Sequence, residues 1–203
     1  MRAAALLAAA AALVAGCGGS SSPRRTTATA GATTTTTTKA QPAPQRHERP
    51  VRLPHGWKRV VDRRDGFSFG VPPGWRAHRA PAAELVRSAD GALAVSVAYD
   101  RGPEGRSVKA RAYAKRAARS LQGYRNLHVG PAHRVAHERH PTATVTARGV
   151  FLKTHVRQAI FVVAVQRPGR GTFAVLAFRS ARTRANRYAP ELAELVRSLR
   201  TLA

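Results

Sequence analysis

Hydrophobic and polar positions divide the chain into three parts. Residues 3–15 form an unbroken apolar run, whereas residues 18–50 contain no Val, Ile, Leu, Met, Phe, Trp or Tyr. Apolar positions resume at residue 51 and continue in short periodic segments to residue 203. A stretch without large apolar side chains cannot bury enough surface to offset its ordering entropy. We therefore predict one globular domain over residues 51–203, preceded by a disordered Thr-, Pro- and Ser-rich tether.

The apolar pattern of the domain predicts mainly strands. Alternating positions indicate half-buried strands in its first half, and continuous apolar runs indicate central strands in its second half. The predicted strands are 57–61, 66–71, 93–99, 142–150, 158–165 and 172–178. Short turn-forming segments separate the first two and the last two of these, so each pair is expected to form a hairpin.

Two segments have helical periodicity. The first runs from Ser107, as a predicted N-cap, to Leu121, and the second begins near Pro190. The apolar stripe of the first comprises Ala110, Tyr113, Ala114, Ala117 and Leu121. The inward face of the second comprises Leu192, Leu195, Val196, Leu199 and Leu202. Strands joined by hairpins, with single helices between them, predict an α+β fold with a central, largely antiparallel sheet flanked by helices.

The charge of the chain and its distribution limit the classes of partner that can be expected. The chain has 35 Lys and Arg against 10 Asp and Glu, a net charge of +25. These cations are spread along the chain without interleaved aromatic residues, so no nucleic-acid partner is expected. They are densest on the first predicted helix, whose candidate anion-binding face comprises Lys109, Arg111, Lys115, Arg116 and Arg119. The alternative is that this face is only solvated.

The start of the chain predicts export and lipidation. The run 3–15 follows Arg2 and would cover only about 20 Å as a helix, less than the roughly 30 Å of a bilayer core. Residues 1–16 are therefore interpreted as a signal peptide. Val14-Ala15-Gly16-Cys17 resembles the lipobox of bacterial lipoproteins, which implies cleavage before Cys17 and its acylation. Two or three acyl chains would hold the domain at the extracytoplasmic face of the cell membrane. A plain secretory signal with an incidental cysteine is the alternative.

A second resemblance concerns the domain. The segment 66–75 reads GFSFGVPPGW and resembles the opening motif of bacterial PsbP-like lipoproteins, including LpqN-type and DcrB-like domains. The order of the remaining elements is similar over most of residues 55–203. The resemblance implies an α/β/α sandwich around an antiparallel sheet and a role in binding or assembly, with no shared catalytic residues.

Two motifs could carry catalytic or metal-binding chemistry, but the sequence around each gives that function little support. Residues 66–70 satisfy GxSxG, but Ser68 lies in an alternating strand followed by Pro-Pro-Gly and not in the strand-to-helix turn of a hydrolase. A histidine-rich stretch has no recognised metal-ligand spacing. It contains His128, His133, His137, Glu138 and His140. We predict no catalytic residue, metal or cofactor.

The sequence favours a lipid-anchored cell-envelope lipoprotein whose domain is a non-enzymatic binding or assembly module. Its expected partners are the membrane, through acylated Cys17, and an envelope protein or anionic envelope component. The alternatives are an envelope hydrolase and a carrier of small molecules. A carrier requires an apolar cavity, which sequence patterns do not reveal.

Overall fold

The computed structural model describes residues 52–136, 138–184 and 186–202. The predicted signal peptide, the lipobox with Cys17 and the tether therefore lie outside the described residues, as does His137. Within the described ranges, no helix is both long enough and apolar enough to cross a membrane.

Ten strands and three helices make up the described part of the chain. The strands are β1 (Lys58–Asp62), β2 (Phe67–Val71), β3 (Arg76–Ala80), β4 (Ala83–Arg87), β5 (Leu93–Asp100), β6 (Tyr124–Arg134), β7 (Thr142–Phe151), β8 (Val156–Arg167), β9 (Gly171–Ser180) and β10 (Arg200–Thr201). The helices are α1 (Pro103–Ser107), α2 (Ala110–Arg119) and α3 (Ala189–Arg197).

The strands form two sheets. The large sheet has seven strands in the order β3-β4-β5-β9-β8-β7-β6, and the small sheet has three in the order β1-β2-β10. Every strand pairing in the described ranges is antiparallel. The predicted α+β class with a central antiparallel sheet is confirmed, and so are the hairpins β1–β2 and β8–β9.

The large sheet separates two cores. On one face α2 packs through Ala110, Ala114 and Ala118, all buried, against apolar residues of β7, β8 and β9. On the other face the small sheet and α3 enclose an aromatic and aliphatic core that includes Phe67 and Phe173. The layers are thus a helix, the large sheet, and a mixed layer of small sheet and helix. Helices therefore flank the large sheet on both faces, as predicted for an α/β/α sandwich, and the small sheet lies in the same layer as α3.

Four strands are absent from the sequence-based prediction, namely β3, β4, β6 and the two-residue β10. β3 reads RAHRA and is mostly exposed, so it has no apolar alternation. β4 has only two large apolar residues. β6 contains two register shifts against β7, one between Arg125 and His128 and one between Val129 and Ala132. Such bulges interrupt the alternation of side chains that identifies a strand in the sequence.

The helix boundaries also differ. Ser107 does not cap the long helix. Its hydroxyl donates to the carbonyl of Pro103 within α1, and Lys109 precedes the first residue of α2. Leu121 lies two residues beyond the end of α2, and Leu199 and Leu202 lie beyond the end of α3. The helix stops at Arg197 because the chain turns at Ser198 to pair with β2 as β10.

Ser198 connects α3 to the small sheet. Its hydroxyl accepts a hydrogen bond from the backbone N–H of Gly70 at 2.7 Å and donates to the carbonyl of Leu195, also at 2.7 Å. Ser198 is only 2% exposed, so water does not replace either partner. A side chain at position 70 would lie 2.6 Å from Leu53, which explains the glycine at this close approach.

Replacing Ser198 with Ala should lower the free energy of unfolding by about 1–3 kcal/mol, because the buried N–H of Gly70 loses its acceptor. Urea unfolding followed by circular dichroism would measure the change. Ser107→Ala is the matched control, since it removes a similar hydroxyl-to-carbonyl bond at an exposed site and should change stability far less. Equal effects of the two substitutions would contradict this account of Ser198.

Candidate functional site

A cleft of about 1420 Å³ lies beside α2. The helix contacts mainly β6, β7 and β8, so it leaves β4 and β5 uncovered on the same face of the sheet. Residues of α1 and α2 form one wall, and β4, β5 and β9 form the floor. The cleft therefore exists because one short helix covers only part of a seven-stranded sheet.

The floor of the cleft is apolar and made mostly of small side chains. One cross-strand row contains Leu85, Ser96 and Leu176, which face one another on β4, β5 and β9. Ala94 lies opposite Phe178 in a neighbouring row. Small residues at the centre of the row leave depth for a ligand, and the apolar floor favours a ligand with an apolar part.

The short helix α1 holds the mouth of the cleft in place. The hydroxyl of Thr172 on β9 donates to the carbonyl of Gly105 at 2.6 Å. A Cβ at position 105 would lie 2.1 Å from the carbonyl oxygen of Asp100, so only glycine permits this approach. The side-chain amide of Gln166 also donates to the carbonyl of Val108, at 3.1 Å, and thereby fixes the start of α2.

Two tyrosines line the cleft as neutral polar groups. The hydroxyl of Tyr113 donates to Asp100 at 3.1 Å, and that of Tyr124 donates to Gln158 at 2.6 Å. Burial and the nearby Asp100 carboxylate raise the pKa of Tyr113, and burial raises the pKa of Tyr124 to about 12. Both therefore keep their protons at neutral pH and can bind or orient a ligand rather than exchange protons with it.

Cations surround the mouth of the cleft. Arg116 of α2 forms an ion pair with Glu104 of α1 along one wall of the cleft. Arg101 donates to the carbonyl of Arg64 at 3.2 Å, and Arg179 donates to the carbonyl of Thr183. Both of these arginines keep their positive charge without a carboxylate, so the rim carries a net positive field.

The predicted basic face of α2 is exposed. Lys109, Arg111, Lys115, Arg116 and Arg119 all reach solvent. Arg111, Lys115 and Arg119 follow one another at four-residue spacing and so form one line along the helix. Of the five, only Arg116 forms an ion pair within the described part of the chain. The structure thus separates a charged outer side of α2 from the alanine side that contacts the sheet.

Ser68 does not occupy a nucleophile elbow. It lies in the middle of β2, is 3% exposed, and its hydroxyl accepts from Arg59 at 3.4 Å. The chain continues through Pro72 and Pro73 into β3 and not into a helix. Among the described residues, no histidine is a hydrogen-bond partner of this hydroxyl, so the triad arrangement is not formed here.

The histidine-rich stretch is spread over β6 and the loop that follows it. His128 and His133 lie on exposed positions of β6, opposite Arg148 and Thr144 of β7. Glu138 and His140 lie in the loop before β7. Across the described ranges, no three His, Cys, Asp or Glu side chains are grouped closely enough to hold a metal ion.

A carboxylate pair at the edge of the domain was not anticipated from the sequence. Asp62 accepts hydrogen bonds from Arg79 at 3.2 Å and from the backbone N–H of Asp65 at 3.0 Å. Glu84 lies opposite Arg79 in the β3–β4 register. Burial, and secondarily the charge of Asp62, raise the pKa of Glu84. The β3–β4 pairing places Glu84 beside Arg79, and Arg79 reaches Asp62 at the end of β1 in the small sheet. No local sequence motif indicates this cluster.

Comparison with known proteins gives a fold and no family. No protein-family model matches the sequence, and no curated protein matches it either. A Bacteroides thetaiotaomicron structure is similar with a TM-score of 0.53 and 14% identity. The match covers 73% of this chain and 49% of that one, about half its length. At this identity the similarity concerns the fold alone.

Two further solved structures have lower scores. The cyanobacterial PsbP protein (CyanoP) of Synechocystis sp. PCC 6803 matches with a TM-score of 0.49 and 15% identity, over 72% of this chain and 92% of that one. The Ran-binding protein Mog1p of Saccharomyces cerevisiae matches with a TM-score of 0.49 and 12% identity, over 72% of this chain and 95% of that one.

The raised pKa of Glu84 predicts a pH-dependent stability. An acid whose folded pKa lies above its ordinary value of 4.5 contributes stability below that value and loses it as the pH rises through the folded pKa. Glu84→Gln should therefore become more stable relative to the unchanged chain between pH 4.5 and neutral pH. Thermal unfolding across this range would measure the difference. Glu194→Gln, at an exposed carboxylate paired with Arg197, should show no such rise, and a flat difference for Glu84→Gln would contradict the assignment.

Proposed function

We propose that this chain is a cell-envelope lipoprotein whose domain is a non-enzymatic binding module. In this proposal, acylated Cys17 anchors the chain at the extracytoplasmic face of the cell membrane, and residues 18–50 separate the domain from the lipid. The lipobox-like segment and the short apolar run before it support the anchor. The tether is supported by its composition, which cannot form an apolar core.

The arrangement of polar groups in the cleft is the observation that favours binding over catalysis. Besides arginines, its polar groups include two tyrosines that keep their protons and the carboxylates of Asp100 and Glu104, which are bound by Tyr113 and Arg116. Catalysis of acyl transfer requires a nucleophile next to a base. Ser68, the one residue suggested by a hydrolase motif, lies on β2 in the small sheet, outside the cleft.

The exposed face of α2 is the proposed surface for a macromolecular partner. Its line of unpaired cations suits an anionic envelope component or the acidic surface of an envelope protein. The helix has no exposed Trp or Phe to insert into lipid, so recognition through charge is favoured over insertion. Nucleic acid is not a proposed partner because the extracytoplasmic location would separate them.

A carrier of small molecules is the second candidate function. The observation that favours it is the cleft itself, with its apolar floor and cationic rim. The two candidate functions would use different sides of α2: a macromolecular partner would bind its outer side, and a small molecule would bind in the cleft. They are compatible in one protein, since a partner on the outer side of the helix would leave the cleft open.

The lipid anchor predicts a specific modification. The mature chain purified from the membrane of a lipoprotein-processing bacterium should begin at Cys17 and carry acyl chains on that residue, as mass spectrometry of its first peptide would detect. Cys17→Ser should abolish the acylated species. A mature chain that begins elsewhere, or an unmodified Cys17 at its start, would contradict the anchor.

The α2 surface predicts a loss of partner binding on neutralisation. The unacylated chain, defined as residues 17–203 with Cys17→Ser, would be immobilised and exposed to solubilised envelope. At physiological salt, exposed charges are screened over about 8 Å, so a partner retained there is held by close contact. The triple variant Arg111→Gln, Lys115→Gln, Arg119→Gln should lose about nine-tenths or more of this capture, as expected when several charge pairs are removed.

The control variant for this experiment has the same net charge as the triple variant of α2. The variant Arg148→Gln, Lys153→Gln, Arg157→Gln removes three exposed cations from β7, β8 and the turn between them, and it should capture the partner normally. Equal losses from both triple variants would mean that the excess charge is merely adhesive. Complete loss of capture on raising the salt to the physiological level would have the same meaning.

A further inference from the structure

Arg87 is the one cation of the cleft whose buried donors lack acceptors. It ends β4, and its side chain lines the cleft. Its Nε and Nη2 atoms are buried and have no hydrogen-bond partner within the described part of the chain. Buried donors on a charged group are costly when unsatisfied. Such a group in a cleft indicates that the missing acceptor belongs to a ligand.

The two unsatisfied atoms define the geometry of the acceptor. Nε and Nη2 lie along the same edge of the planar guanidinium group, and their N–H groups point in nearly parallel directions. Two parallel donors match the two oxygens of one carboxylate in a bidentate pair. A single carbonyl or hydroxyl oxygen would satisfy only one of them. The acceptor is therefore best matched by an anion with two oxygens.

Strand pairing places a second cation next to Arg87. Arg76 lies directly opposite on β3, and like charges at facing positions repel. Two acidic residues lie three positions away along the chain: Glu84 faces Arg79 on β3, and Asp90 is already bound by Ser88, Ala92, Tyr188 and Arg187. An anion from outside the chain would relieve both the repulsion and the unsatisfied donors.

The floor next to Arg87 is apolar. Ala94 faces Arg87 on β5, and Phe178 faces Ala94 on β9. From this row the floor continues along β5 to Asp100 near α1, a distance of about 20 Å at roughly 3.3 Å per residue. An extended apolar chain fits this shape, with its polar end at Arg87.

We propose that the cleft binds a single-chain anionic amphiphile of the fatty-carboxylate class. Its carboxylate accepts from Nε and Nη2 of Arg87, and its apolar chain lies over the small side chains of β5 and β9. This inference rests on the proposal that the domain is a binding module and assigns a ligand class to its cleft. The assignment is independent of the cationic line on the outer side of α2.

Binding of dodecanoate to the unacylated chain at physiological salt tests the proposal, with dodecanol as the neutral probe of equal chain length. Calorimetry below the micellar concentration should show saturable one-to-one binding of dodecanoate and weaker binding of dodecanol. Arg87→Leu should weaken dodecanoate binding about tenfold to a hundredfold, as expected for a lost charge-assisted pair. It should leave dodecanol binding unchanged.

Two controls separate recognition from folding. Arg148→Leu removes an exposed arginine on β7 outside the cleft and should bind dodecanoate as the unchanged chain does. Without ligand, Arg87→Leu should not lower the melting temperature, because it removes two buried donors that have no acceptor among the described residues. If that variant fails to fold, Arg87→Lys keeps the charge but not the parallel donors, and it should still lose affinity for dodecanoate.

The proposal is overturned if dodecanol binds as tightly as dodecanoate. It is also overturned if substitution of Arg87 leaves dodecanoate binding unchanged, or if neither probe binds saturably. In each of these cases, partner capture that still depends on the cations of α2 would leave the broader binding function standing.

Discussion

The close approach of α2 to the large sheet is the contact on which the functional surfaces of this domain depend. Ala110, Ala114 and Ala118 are buried against β-strand residues that are themselves small or β-branched. Alanines allow the helix axis to lie near the sheet, but they give a narrow apolar stripe. A helix of ten residues covers only part of this face of the seven-stranded sheet. The uncovered part of the face forms the floor of the cleft.

The opposite face of the large sheet is covered by the small sheet and α3. The small sheet contributes Phe67 and Phe69, which pack with Phe173 of β9 and Leu195 of α3. These side chains fill the space between the layers, so the hydrophobic stabilisation of the domain is concentrated on this side. The α2 side is thereby free to keep an open cleft, because the fold does not depend on filling it.

Much of the fold was accessible from the sequence because most of its strands carry periodic apolar residues. Alternation in Phe67, Phe69 and Val71 marks β2, and the run from Ile160 to Val165 marks β8. β3 is not predicted because Arg76 and Arg79 give it the polarity of a loop, and β4 is the only strand that pairs with it among the described residues. Patterns of side-chain hydrophobicity do not report an edge strand of this kind.

The candidate site was accessible only in part, for a related reason. The basic face of α2 is a local pattern within one helix, and it was found. The cleft combines residues of α1, α2, β4, β5 and β9, which only strand order brings together. Arg87 could not be distinguished from the other arginines by any local signal, because what sets it apart is the lack of acceptors for two buried donors.

The many basic residues of this chain have different roles in different parts of the structure. Some arginines stabilise the fold, as Arg167 does by donating to the carbonyl of Leu199 at 2.7 Å. Others, on the outer side of α2, reach solvent and act through their summed field, which salt weakens. Arg87 belongs to neither group, since two of its nitrogens are buried and have no hydrogen-bond partner among the described residues. A chain with a net charge of +25 is thus expected to bind many anions weakly, and selective recognition requires a place where charge, burial and apolar surface coincide. Among the described residues, the Arg87 end of the cleft is where these three properties meet.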